Sequence, residues 1–79
     1  MRNEIKELVM YIDQYLAGEI EGTILEKHTL NLISNDLFEK LDEKVQNAIY
    51  ALDSQELNAL SRNEMLEVQQ VLIRWLSIQ

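Results

Sequence analysis

The chain has 79 residues, with fourteen Asp and Glu against seven Lys and Arg, a formal net charge of -7. A surface of that sign repels phosphate, which argues against direct nucleic-acid binding and favours a basic protein partner. With no cysteine there is neither a disulfide framework nor a thiolate zinc site, and no apolar run approaches the ~20 residues that span a bilayer.

The length fits one domain, residues 1–79, that buries roughly 60% of the surface of its unfolded chain. Hydrophobic residues make up 47% of the sequence, a globular rather than a disordered proportion. The charged start, Met1 to Glu7, lacks the apolar segment of a signal peptide. Together with the absence of cysteine, this leads to the expectation of a cytoplasmic protein.

The periodicity is helical from end to end. Ile5, Leu8, Val9, Ile12, Tyr15 and Leu16 recur at i, i+3, i+4 and i+7, so a first helix is expected from about Glu4 to Ala17. Asn3 is its candidate N-cap, and Gly18 its C-terminal stop, because glycine tolerates the left-handed conformation there. A second helix starts near Glu21 to Thr23. Thr23 and Glu26 have capping-box spacing, and Leu25, His28, Thr29 and Leu32 share a face that Leu30 and Ile33 widen. Ser34-Asn35-Asp36 then breaks the helix.

A third helix is expected from Asp36, with Asp36 and Glu39 again at capping-box spacing. Phe38, Leu41, Val45, Ala48, Ile49 and Leu52 form its inward stripe. Residues Asp53 to Leu60 read as a polar connector with some apolar content, room for a short helical turn. Ser61 and Glu64 open a fourth helix whose stripe is Met65, Val68, Val71, Leu72, Trp75 and Leu76. No segment alternates as a strand would. Four amphipathic helices with short connections predict an all-α protein, an antiparallel four-helix bundle.

Little in the sequence offers chemistry. His28 is the single imidazole. On a helical bundle it could carry a phosphoryl group, with Lys27 beside it, but it shares its face with Leu25 and Leu32, as a histidine at a core edge does. No Glu-x-x-His spacing accompanies it, since position 25 is Leu25, so no metal site is expected. A chain this short has little volume for a catalytic pocket beside its core. No enzyme, catalytic residue or cofactor is expected.

The third helix offers a surface instead. Glu39, Glu43, Gln46 and Tyr50, at i, i+4, i+7 and i+11, lie opposite the Phe38/Leu41/Val45/Ile49 stripe, with Asp42 and Asp53 flanking them and Glu56 in the connector beyond. Carboxylates beside an exposed tyrosine make a steering field with an anchor. A solvated helix face is the plainer reading of the same residues, and Lys40 and Lys44 dilute the strip. On the fourth helix, Leu66 and Ile73 point away from the main stripe. They either cover a neighbouring helix or form a homodimer seam, so a monomer or a weak homodimer is expected.

The run Tyr11-Ile12-Asp13-Gln14-Tyr15-Leu16-Ala17-Gly18-Glu19-Ile20 resembles the opening of bacterial immunity proteins of the colicin D type. There a helix ends in a leucine, a small residue, a glycine and an isoleucine, and a second helix pairs a bulky apolar residue with one three or four positions on, here Leu25 with His28 or Thr29. The resemblance continues through the leucine-rich segment Asp36 to Asp53 and spans positions 8 to 53. Gly22-Thr23 and Leu25 depart from the family pattern, so no site residue is carried over by position. The resemblance implies a helical bundle that binds a cognate toxin, often a nuclease acting on transfer RNA, and covers its active site. A cationic cleft built for RNA suits a carboxylate-studded inhibitor. Two rivals fit the same acidity or the same helices: a nucleic-acid mimic that blocks a bacterial defence protein, and a homodimerising interaction module.

Overall fold

The computed structural model describes residues 1–53, 57 and 59–78, and these are all helix, turn or irregular chain, with no strand among them. The described residues form four α-helices, α1 (Arg2–Leu16), α2 (Gly22–Ile33), α3 (Glu43–Tyr50) and α4 (Arg62–Ile78), with a short 3₁₀ helix at Phe38–Lys40 between α2 and α3. The all-helical expectation holds.

Helix α1 starts at N-cap Met1, so Asn3 lies inside the helix rather than at its cap. Its end follows the sequence closely. Gly18 adopts φ +77°, its N–H reaches the Tyr15 carbonyl at 3.1 Å, and the Glu19 N–H reaches the Gln14 carbonyl at 2.8 Å. This pair of bonds is a Schellman motif.

Helix α2 has Glu21 as its N-cap, without a side-chain bond. The Thr23/Glu26 capping box does not form, because Thr23 already sits inside the first turn, where its helical backbone cannot cap. Gly22 opens the helix beneath close neighbours. A Cβ there would lie 3.3 Å from a Leu57 methyl and 3.5 Å from the Tyr15 ring.

The largest difference lies between α2 and α3. The continuous third helix from Asp36 is two pieces. Asn35 Oδ1 accepts the Leu37 N–H at 2.9 Å, a 3₁₀ turn follows, and Leu41 is extended at ψ 153°. Asp42, not Asp36, is the true cap: its carboxylate accepts the Lys44 N–H at 3.3 Å. The Asp36/Glu39 box is absent because those residues precede a 3₁₀ turn and not the helix. The inward stripe survives the break. Phe38, Leu41, Val45, Ala48, Ile49 and Leu52 are all buried, since a spacing of three satisfies a 3₁₀ turn as well as an α-turn.

Each helix packs against two others: α1 against α2 and α4, and α3 against α2 and α4. The core they enclose takes Ile5, Leu8 and Ile12 from α1, Leu25 and Leu32 from α2, and Met65 and Leu72 from α4. Leu57, in the connector read as polar, is also buried, whereas Leu30, expected to widen the face of α2, is exposed. Among the described residues, two polar side chains enter the core, each with its bonds met. Thr29 Oγ1 donates to the Leu25 carbonyl at 2.8 Å. Gln69 Nε2 donates to the Val9 carbonyl at 3.0 Å and to Asp13 Oδ1 at 2.7 Å. Arg2 reaches the Leu76 carbonyl at 2.7 Å and Arg62 the Leu16 carbonyl at 3.2 Å, so α1 and α4 are tied at both ends and in the middle.

Candidate partner-binding face

Helix α3 buries Val45, Ala48 and Ile49 and turns Glu43 and Tyr50 to solvent. Those two are seven residues apart, about 10.5 Å along one side of the helix. Between them lies Gln46, which the sequence placed in the exposed strip. It is half-buried and committed internally: Nε2 donates to the Leu41 carbonyl at 2.8 Å and to the Glu39 carbonyl at 3.1 Å. Glu39 therefore does not continue the α3 face as an i−4 residue of one helix. Gln46 holds the 3₁₀ turn that carries Glu39 against α3, and the Glu39 side chain is exposed.

The flanking residues separate. Asp42 is exposed, but it caps α3 and borders a hollow of about 240 Å³ shared with Val71, Arg74 and Trp75 of α4. Asp53 is half-buried, and its backbone N–H closes the turn after α3 on the Tyr50 carbonyl at 3.0 Å. Glu56 lies outside the described residues. The structure thus leaves Glu39, Glu43 and Tyr50 exposed, with Gln46 bonding the 3₁₀ turn that carries Glu39 to the helix that carries the other two.

The dilution by lysine is smaller than a shared helix implies. Lys44 is one residue, about 100°, round from Glu43, and it lines a groove of about 420 Å³ between α3 and α4 with Glu64 and Glu67 across from it. Sequence reading missed this groove and its floor of Ala48, Ala51 and Val68. A wheel drawn on α3 alone would have turned Lys44 away from Glu43, but the approach of α4 is a tertiary fact.

Comparison with protein-family models, with curated proteins and with solved structures finds no match to this chain.

His28 is half-buried on α2. Its Nε2 lies 3.1 Å from the Glu4 carbonyl, which can only accept, so Nε2 carries the hydrogen. Its ring leans on Tyr11 with centroids 4.8 Å apart. The histidine thus ties α2 to the first turn of α1. Among the described residues, no group of three or more His, Asp or Glu side chains is placed to hold a metal ion, and no helix is long and apolar enough to cross a membrane.

Among the described residues, two carboxylates titrate below their ordinary range. Glu4 does so mainly through a hydrogen bond to its own backbone N–H. Glu64 does so through the Ser61 backbone N–H first and the Ser61 side chain second. These belong to the first turns of α1 and α4, away from the Glu39/Glu43/Tyr50 face.

Proposed function

We propose that the protein is a bacterial immunity protein: an antiparallel four-helix bundle, cytoplasmic and without catalytic groups of its own, that covers the cationic active site of a basic toxin domain, a nuclease acting on transfer RNA. The observation that carries this reading is the Glu39/Glu43/Tyr50 face. It consists of the exposed Glu43 carboxylate and the half-exposed Tyr50 ring on a short helix, and the exposed Glu39 carboxylate on the neighbouring 3₁₀ turn, which Gln46 fastens to that helix. A charged surface fixed in this way loses little entropy on docking and steers a basic partner from a distance. Net acidity and the resemblance of positions 8 to 53 to colicin-D-type immunity proteins support the same partner.

The test is protection. Cells making this chain should survive production of the toxin encoded beside it, and cells making Glu39→Lys/Glu43→Lys should lose that protection while the variant keeps its helicity. A folded chain that leaves the cells unprotected overturns the proposal. The nucleic-acid-mimic reading has the same acidic face in its favour and differs in the partner that co-purifies.

A further inference from the structure

Helix α4 carries no net charge, and neither do α2 and α3. Between Arg62 and Ile78 it carries two arginines and two glutamates, net zero, so the whole net charge of -7 falls on the other residues. The glutamates, Glu64 and Glu67, sit in its first half and Arg74 in its second, the order that complements the helix dipole.

Its core face is set by Met65, Gln69 and Leu72. At about 100° per residue Gln70 lies about 130° round from the middle of that face, on the solvent side. Leu66 and Ile73 lie about 40–60° to one side of Gln70, and Glu67 and Arg74 about as far to the other, at the back of the helix. Leu66 is 36% exposed. Ile73 is half-buried, yet it does not belong to the apolar set packed on the core. Leu66, Glu67, Gln70 and Arg74, with Val71, rim an open hollow of about 380 Å³. Among the described residues, neither Glu67 nor Arg74 has a hydrogen-bond or ion-pair partner.

We infer that this face of α4 takes a second copy of the chain, laid antiparallel with Gln70 against Gln70. The two flanks share one spacing. Leu66 and Ile73 are seven apart, as are Glu67 and Arg74, and an antiparallel two-fold pairing centred on residue 70 brings the members of both pairs within one residue of the same level. On one flank Glu67 of each copy meets Arg74 of the other. On the opposite flank Leu66 of each meets Ile73 of the other, within about one residue of the same level. The face is self-complementary, as a two-fold interface requires, and it lies on a helix with no net charge to drive two copies apart. A single-helix seam is small, so the dimer is weak, with a dissociation constant of about tens to hundreds of micromolar. It uses a different helix from the Glu39/Glu43/Tyr50 face and stands or falls independently of the proposed function.

Sedimentation equilibrium from a few micromolar to several hundred tests it. The wild type should dimerise reversibly. Glu67→Arg and Arg74→Glu should each weaken self-association at least about tenfold, because each places like charges opposite one another. An equimolar mixture of the two variants should recover the wild-type association, since every like pair then becomes an opposite pair. Leu66→Ser should weaken it from the other flank without touching a charge. A wild type that stays monomeric throughout overturns the inference. So do variants that dimerise as the wild type does, and so does a mixture of weakened variants that fails to recover.

Discussion

Tyr50 meets Phe38 edge-on, with ring centroids 5.2 Å apart and planes at 87°, and still leaves 47% of its surface to solvent. One face of the ring belongs to the fold and the remainder is available to a partner. Tyr50→Ala should therefore cost twice: about 1 kcal/mol of stability from the lost ring contact, and about 2 kcal/mol of partner affinity, roughly thirtyfold, if the ring is the anchor. Tyr50→Phe retains the ring contact and separates the hydroxyl from both effects. Urea denaturation reads the first quantity and titration against the toxin domain the second. A Tyr50→Ala chain that binds as the wild type does moves the anchor elsewhere. Gln46 is the other decisive side chain here. It faces two carbonyl oxygens, so only its amide nitrogen can serve. Gln46→Ala should cost about 1 kcal/mol, and Gln46→Glu more, because a carboxylate offers those oxygens no hydrogen. Urea midpoints in the opposite order would contradict the fastening role, even though Gln46→Glu makes the face more acidic.

At the scale of elements, the ends of the helices were legible where the side chain that caps them has a single geometry. Gly18 closes α1 as its lack of a Cβ requires. Ser61 and Glu64 open α4 reciprocally: the Ser61 N–H donates to the Glu64 carboxylate at 3.0 Å and the Glu64 N–H to the Ser61 hydroxyl at 3.2 Å. The box predicts a pH dependence. The Glu64 carboxyl is held below its ordinary value by these bonds, so it binds a proton less readily folded than unfolded. Its contribution to stability is complete above the unfolded pKa and disappears as the pH falls through the lowered folded one. The stability gap between the wild type and Glu64→Gln, measured by urea denaturation, should be widest at neutral pH and shrink below the carboxylate range. A gap that widens on acidification has the wrong sign for this account. The break at Leu41–Asp42 was not legible. Phe38, Leu41 and Val45 keep an apolar rhythm that one α-helix or two joined pieces satisfy equally, and Asp36, Asp42 and Thr23 are all residues able to cap. Which one does so depends on where the chain must turn to pack α3 on α2 and α4, and that is decided by contacts distant in sequence.

For the whole molecule, the ring of contacts through α1, α2, α3 and α4 puts the apolar stripes inside, and the stripes were readable because burial follows helical period. Of the acidic strip, Glu39, Glu43 and Tyr50 are exposed as expected, but Glu39 stands on the 3₁₀ turn and not on the helix that carries the other two. Gln46 was misread because its partners, the Glu39 and Leu41 carbonyls, are free only where the chain leaves the helix. The distribution of charge is also a whole-molecule property: α2, α3 and α4 are each net neutral and α1 carries one net negative charge, so most of the net charge of -7 falls in the segments between the helices. The most direct measurement of the central claim is a titration of the folded chain against the toxin domain encoded beside it, at low and at high salt, for the wild type and for Glu39→Lys/Glu43→Lys. The account predicts a tight complex with the wild type that weakens as salt rises, and a charge-reversed variant that binds far less and has lost most of that salt dependence. Equal binding by the two proteins, or a wild-type affinity indifferent to salt, would contradict it.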